Sequence, residues 1–498
     1  MAALVVPDSG PGTTGADFAA RLAGRRVCVA GLGVSGPPAA RVLAARGAVV
    51  TAVDSRDDDD RRGIAADLAG SGVRALLGET AAATLPAGTE LVVTSPGWKP
   101  SAPLLTAAAA ADVEVMGDVE LAWRLRPSLP GGGRQRWLAV TGTNGKTTTV
   151  RMLALMLTAA GYRAVAAGNV GTSLAEVVTE AEPYEVVAVE LSSFQLHWSS
   201  TIVPYAAVVL NVAAHHLDWH GTMEAYAADK ARIFAASTLA IGNADDERSA
   251  RMAKVAGGNV MFRLGEPGPG ELGVAGGSLI DRAFGGPGQA DGARLASVAD
   301  LHGPGQAASA RAPAPHIVAD ALAAAALARA YGAPAGAVSA GLAAFRPDPH
   351  RISLVTDVGG VDYIDDSKAT NPHAAAASLA AYDPVVWVAG GQLKGAAGDL
   401  DRLVGAAAAR LRGVVLFGAD RDIIAAALVR HAPKVPVVEV AGTDTGAMDI
   451  VVKAAAELAR PGDTVLLAPA AQSFDMFRDY PARGDAFAAA VRRLAAAR

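Results

Sequence analysis

"TGTNGKTTT", residues 141–149, follows the apolar run "RWLAV" and opens a stretch of helical character. A strand, a glycine-rich turn and a helix in that order present backbone N–H groups and a helix N-terminus to anionic oxygens. Lys146 supplies a cation for β- and γ-phosphates, and Thr147 places a hydroxyl where Mg2+ can take it. Thr143, Asn144, Gly145 and Thr148 complete the loop. The strict pattern asks for glycine where this chain has Val140, so the loop is a variant P-loop. The alternative is a plain glycine turn before a helix; Gly-Lys-Thr in this setting favours a nucleoside triphosphate.

A second glycine-rich turn, "GLGVSG" at 31–36, stands between a strand-like and a helix-like segment. Gly31, Gly33 and Gly36 match G-x-G-x-x-G, and Asp54 lies at the end of the next strand, where it can accept from a ribose hydroxyl. Alone, this motif leaves open a nicotinamide or flavin cofactor, another nucleotide, or a tight packing turn. No candidate hydride-transfer site follows it.

Strand-like runs alternate with helix-like ones through most of the 498 residues, which predicts parallel α/β layers. Three blocks are expected: 1–131, ending in the linker-like "RPSLPGGGRQ" (126–135); 132–346, holding the P-loop; and 347–498, a second doubly wound sheet built from "VDYIDD", "PVVWVAGG", "GVVLFGA" and "TVLLAPAA". The acidic run "DSRDDDDRR" (54–62) reads as a solvated loop. Hydrophobic residues make up 51% and charged residues 19%, enough to bury several cores. The net charge of −5 does not suggest a nucleic-acid binder. Cys28 is the only cysteine, which excludes an intrachain disulfide and a cysteine-cluster metal site and fits a reducing cytoplasm. The first residues do not read as a signal peptide, and no apolar run is long enough to insert into a membrane.

Other strand ends carry chemistry. Glu190 opens "ELSSFQL" (190–196), where a carboxylate can hold Mg2+ or simply face water. In "NVAAHHLDWHG" (211–221), His215, His216, Asp218 and His220 suggest a zinc site, but 216, 218 and 220 share a face only in an extended segment. With a triphosphate loop upstream, one histidine assisting a Mg2+–phosphate site is preferred. Lys230 in "YAADKARIF" is unspecific alone, since most helical lysines reach solvent. "DDSKATNPHA" (365–374), "AGGQLKG" (389–395) and "APAAQSFDMF" (468–477) each follow a strand-like run, so they converge on one sheet edge. They offer Lys368, Thr370, Lys394 and Ser473, a set suited to carboxylates.

Taken in order, "TGTNGKTTT", "GNVG", "ELSSFQL", "NVAAHHLDWHG" with "DKARIF", "HR" at 350–351, "DDSKATNP", "GGQLKG" and "SFDMF" resemble the Mur ligases of peptidoglycan synthesis, from about residue 25 to the C-terminus. "DDSKATN" and "SFDMF" resemble the branch of that family that adds D-glutamate. The resemblance implies three α/β domains: Rossmann-like, P-loop ATPase-type and again Rossmann-like. It also implies an ATP-dependent amide ligase acting through an acyl phosphate on UDP-N-acetylmuramoyl-L-alanine, with Mg2+ or Mn2+, and a monomer with no nucleic-acid partner. "GLGVSG" then serves the UDP moiety rather than NAD, through Val34, Ser35, Asp54, Ser55 and Arg56, while Asn169 meets the muramoyl substrate.

The same resemblance assigns metal ligation to Thr147, Glu190 and His216, and to Lys230 once CO2 has carbamylated it. It brings Arg351, Asp366 and Lys368 to ATP, and Thr370, Lys394, Ser473 and Tyr480 to D-glutamate. One departure stands out: "HIVAD" (316–320) puts Ile317 and Asp320 where the family often has asparagines near adenine, and an ionised aspartate cannot donate as an amide does. A dehydrogenase, a non-catalytic nucleotide-binding scaffold and a sister ligase with another acceptor are the rival classes.

Overall fold

The computed structural model describes residues 15–169, 171–235, 238–285, 292–302, 313–346, 350–393, 397–442 and 446–497. Its strands form three sheets. The first comprises Arg26–Ala30 (β1), Val49–Asp54 (β2), Arg74–Leu77 (β3), Leu91–Thr94 (β4) and Glu114–Gly117 (β5), all parallel, in the order β3-β2-β1-β4-β5. The order reverses between β1 and β4, the crevice where doubly wound sheets bind ligands. "GLGVSG" leaves β1 at that point.

The second sheet contains Arg136–Thr141 (β6), Ala164–Gly168 (β7), Val186–Glu190 (β8), Ala206–Val209 (β9), Leu239–Asn243 (β10), Val260–Phe262 (β11), Glu271–Ala275 (β12), Ser278–Asp281 (β13) and Ala293–Ser297 (β14). Its order is β14-β13-β12-β11-β10-β9-β6-β8-β7. β6 lies between β8 and β9, parallel to both, and five of its six residues are buried. Burial on both faces explains why "RWLAVT" reads as a continuous apolar run rather than an alternation. The glycine- and proline-rich end of this block folds into β12–β14, which pair with one another antiparallel, while β12 joins β11 in parallel.

One apolar core runs through both sheets, from Phe18 to Ile233, and the described residues within 15–297 and 319–344 form a single compact unit. The helix Asp118–Leu125 joins them: Trp123 meets Trp137 edge to face, with ring centroids 5.1 Å apart.

The second unit holds the third sheet: Ser353–Asp357 (β15), Asp362–Asp365 (β16), Val385–Gly390 (β17), Leu411–Phe417 (β18), Val437–Glu439 (β19) and Thr464–Leu467 (β20), in the order β15-β16-β20-β17-β18-β19. The four expected runs are β16, β17, β18 and β20. β15 and β19 are edge strands whose half-exposed residues give no apolar run, and β15 is antiparallel. The acidic run at 54–62 is not a loop throughout, because a helix covers Asp59–Ala69. Asp58 caps it by accepting from Arg61 N at 2.9 Å, and acidic residues are favoured in a first turn.

Candidate active site

The loop after β6 turns into the helix Lys146–Ala159 through Gly145, which caps the helix in the left-handed region at φ 88°. A side chain there would also press 2.2 Å from Asp320 Oδ1, so glycine is required twice over. Asn144 and Asn211 brace the loop: Asn144 N donates to Asn211 Oδ1 at 2.9 Å and Asn211 Nδ2 to Asn144 O at 3.1 Å. Thr143 Oγ1 lies 3.1 Å from the Tyr226 hydroxyl, and Thr148 is buried in the helix.

Three adjacent strand ends meet beside this loop. β6 pairs with β8 so that Val140 faces Glu190, and β8 pairs with β7 so that Glu190 faces Gly168. Thr147 Oγ1 donates to Glu190 Oε2 at 2.9 Å, and Asn169 Nδ2 donates to Glu190 Oε1 at 3.0 Å. The sequence placed these three residues more than 20 positions apart; sheet order makes them one hydrogen-bonded chain.

Lys230 does not reach solvent. It is buried in the helix Met223–Ala231, donates to Gly142 O at 2.8 Å and Thr141 Oγ1 at 3.4 Å, and lies 4.7 Å over the Tyr226 ring. Burial, reinforced by the charge of Lys146, holds its amine well below the ordinary lysine range; Glu190 opposes this.

The histidine segment forms no extended zinc ladder, because Leu217–His220 is a short helix. His216 precedes it at φ 55° and packs on Phe194 at 4.7 Å. Burial pushes its pKa down to about 4, so the imidazole is neutral at pH 7. His220 turns inward: Nδ1 meets Asp229 Oδ2 and Nε2 meets Ser193 Oγ, both at 3.0 Å. Asp229, next to Lys230, also meets His197 at 3.0 Å. Among the described residues, no group of three His, Cys, Asp or Glu side chains is set to hold a metal by itself.

Around the first glycine loop, Val34 is 92% exposed, Ser35 and Ser55 are half-buried, and Arg56 is exposed. Asp54 is buried, and its carboxylate is already engaged. It accepts from Leu32 N at 2.7 Å and Arg56 N at 2.9 Å, so it shapes the loop from beneath.

In the second unit, Arg351 sits between His350 and Ile352, both with left-handed backbone (φ 62° and 47°). That is unusual for a β-branched residue and marks stored strain. Asp366 accepts from Ser378 Oγ, and burial pushes its carboxyl up to about 6. Lys368 Nζ lies 5.6 Å from the Tyr480 ring centroid; Thr370 follows on the same loop, and Ser473 is buried where it anchors the turn through Met476 and Phe477. Lys394 lies outside the described residues.

Sequence reading missed Tyr226 and Asp229. Tyr226 stands four residues before Lys230, a spacing that puts both on one helix face and offers the signal that finds it. Ile317 and Asp320 are both buried, Asp320 against Gly145.

Three family domains match the chain in order: the Mur ligase MurD-like N-terminal domain over 25–117, the Mur ligase middle domain over 140–269, and the Mur ligase glutamate ligase domain over 350–471. UDP-N-acetylmuramoylalanine–D-glutamate ligases of Streptomyces avermitilis and Thermobifida fusca are each 58% identical to it, over 95% of this chain and 99% of theirs. The Mycolicibacterium smegmatis ligase of the same name is 50% identical over 97% of this chain and 99% of its own. A UDP-N-acetylmuramate–alanine ligase structure from Thermotoga maritima shares the fold at a TM-score of 0.55 and 17% identity, covering 95% of this chain and all of that one. With three domains matched in order and relatives of this identity along nearly its whole length, the chain belongs to the Mur ligase family.

Proposed function

We propose that this chain joins D-glutamate to UDP-N-acetylmuramoyl-L-alanine at the expense of ATP, in the cytoplasm and as a monomer. The single observation that carries the reading is the hydrogen-bonded chain Thr147–Glu190–Asn169 beside the P-loop, in a chain 58% identical to ligases of that name. The domains are proposed to divide at 131/132 and 346/347.

A carboxylate is a poor acylating agent because its leaving group is an oxide. In the proposed reaction an alanyl carboxylate oxygen attacks the γ-phosphorus and ADP departs. The amine of D-glutamate then adds to the acyl-phosphate carbonyl carbon and loses a proton, and phosphate leaves as the tetrahedral centre collapses.

The chain's residues divide that work. Lys146 and the loop amide of Gly145 hold the phosphates, on a loop braced by Asn144, and Lys146 meets charge developing on the transferred group. The Thr147 hydroxyl and Glu190 carboxylate, oxygen donors side by side at strand ends, fit Mg2+ or Mn2+, and the neutral imidazole of His216 suits ligation. Such an ion, when bound, neutralises charge on the phosphate oxygens. Lys230, whose buried amine is shifted well below the ordinary lysine range, is the amine that, once neutral, adds CO2 and releases a proton, which replaces a cation by an anionic oxygen donor. Val34, Ser35, Asp54, Ser55 and Arg56 receive the UDP end at the ends of β1 and β2, and Asn169 the muramoyl end. Arg351, Asp366 and Lys368 reach ATP; Thr370, Lys394, Ser473 and Tyr480 receive D-glutamate.

The test is phosphate release from ATP with UDP-N-acetylmuramoyl-L-alanine and each of D-glutamate, L-glutamate, glycine and meso-diaminopimelate. Turnover with D-glutamate alone is expected. Turnover with another acceptor in its place contradicts the reading.

A further inference from the structure

The loops after β16, β17 and β20 reach one edge of the third sheet, and a single buried side chain binds all three. Arg483, in the first turn of the helix Tyr480–Ala496, has no exposed surface. Its Nε donates to Ser367 Oγ at 2.9 Å and Nη2 to Ser367 O at 2.8 Å. Nη1 donates to Ala471 O at 3.0 Å and lies 3.5 Å from Gly390 O. Ser367 Oγ in turn donates to Tyr480 O at 2.8 Å, which closes the ring back onto the helix start.

Each anchoring point adjoins residues assigned above to a ligand. Ser367 lies between Asp366 and Lys368, Ala471 two residues before Ser473, and Gly390 four before Lys394. The next residue of the helix, Gly484, serves the same edge. A Cβ there would stand 2.1 Å from His350 Nδ1 and 2.7 Å from Asp365 Oδ2, so only glycine leaves room for the His350–Asp365 hydrogen bond of 2.6 Å beside Arg351. Glycine inside a helix costs about 1 kcal/mol against alanine, a penalty the helix bears for that pair.

Burial of a guanidinium is costly unless its donors are satisfied, and here every nitrogen has an acceptor. The fork geometry matters, because the guanidinium spreads its donors over three nitrogens in one plane, whereas an ammonium issues all three of its donors from a single atom.

We propose that Arg483 is a positioning residue for the ligase reaction: its guanidinium sets the spacing of the loops that receive ATP and the amino-acid acceptor. The proposal rests on the assignment of those loops to ATP and D-glutamate. It separates Arg483 from residues that touch substrate, since its donors end on loop carbonyls and a hydroxyl.

The experiment uses the full chain with Arg483→Lys, Arg483→Ala, Ser473→Ala and, as a control on the same helix, Arg493→Met, whose exposed pair with Asp449 lies apart from the site. Displacements near 1 Å can cost roughly a hundredfold in rate. Arg483→Lys is therefore expected to raise the KM for both D-glutamate and ATP by about tenfold or more. It leaves the KM for UDP-N-acetylmuramoyl-L-alanine and the far-ultraviolet dichroism unchanged. Added guanidinium ion restores part of the Arg483→Ala activity, whereas ethylammonium does not. Arg493→Met behaves as the parent. If Arg483→Lys keeps the parent KM values and only melts earlier while Ser473→Ala raises the KM for D-glutamate, the positioning role is overturned and the loop assignment stands. If Ser473→Ala also leaves that KM unchanged, the loop assignment fails and takes the proposal with it.

Discussion

Lys146 and Lys230 donate to the same acceptor, the carbonyl oxygen of Gly142, at 3.0 and 2.8 Å. Two ammonium groups on one oxygen repel each other, and burial together with the charge of Lys146 lowers the proton affinity of the fully buried Lys230. A neutral amine has the lone pair that CO2 takes, and the proposed carbamate would turn repulsion of Lys146 into attraction. Thorough removal of CO2 is therefore expected to lower the rate and bicarbonate to restore it, with Lys230→Ala nearly inactive and indifferent to bicarbonate. A carbon-13 carbamate signal at Lys230 is the direct check; an unmodified amine in active, substrate-saturated enzyme contradicts it.

Lys146 folds back onto the carbonyls of Gly142 and Thr143, within the loop assigned to the phosphates. Lys146→Ala is expected to cut kcat by about a hundredfold or more, because a charge aimed at the transferred phosphoryl group acts mainly in the transition state. Circular dichroism should be unchanged. Near-normal phosphate release from the folded variant removes Lys146 from the chemistry.

Asp54 accepts from two backbone N–H groups, Leu32 in the first glycine loop and Arg56 in the turn after β2, one on each carboxylate oxygen. An amide has one accepting oxygen, so Asp54→Asn loses one of these bonds. The KM for UDP-N-acetylmuramoyl-L-alanine should rise by about tenfold while that for D-glutamate stays, as a charge-assisted hydrogen bond of about 1.5–3 kcal/mol allows. Equal changes in both KM values point to a general loss of stability.

Much of this was legible in the sequence. Both glycine loops declare themselves by their place between a strand and a helix, and "RWLAVT" by unbroken apolarity. Glu190 was recognisable as a strand-end carboxylate, but its bonds to Thr147 and Asn169 depend on the order β6-β8-β7, which local patterning does not encode. The sequence marks Asp54 as a ligand group; its carboxylate also accepts from the backbone of Leu32 and Arg56, because a short side chain at a strand end meets the neighbouring backbone, and local patterning does not encode those bonds. Arg483 was invisible because an arginine in an otherwise ordinary helix looks like a solvated one, and only tertiary packing buries it.

Asp366 gives a pH signature. Burial raises its folded pKa from 3.8 to about 6, against the opposing pull of Ser378 and Arg351. From about pH 4 to 6 the folded state keeps a proton the unfolded chain has lost, so this group's contribution to stability falls as pH rises through that window. Asp366→Asn removes the dependence. The melting temperature of the variant relative to the parent should climb from pH 5 to pH 8, while its KM for ATP rises. A difference that shrinks over that range contradicts the assigned direction.

The acyl-phosphate route moves one oxygen from the alanyl carboxylate to phosphate, and this atom can be followed. With UDP-N-acetylmuramoyl-L-alanine carrying oxygen-18 in that carboxylate, the phosphate released in the presence of ATP and D-glutamate should contain one oxygen-18 atom per molecule. Mass spectrometry of the phosphate reads it directly. Unlabelled phosphate accompanying formation of the D-glutamyl product would contradict the mechanism, and labelled phosphate released only with a different amino acid would contradict the acceptor.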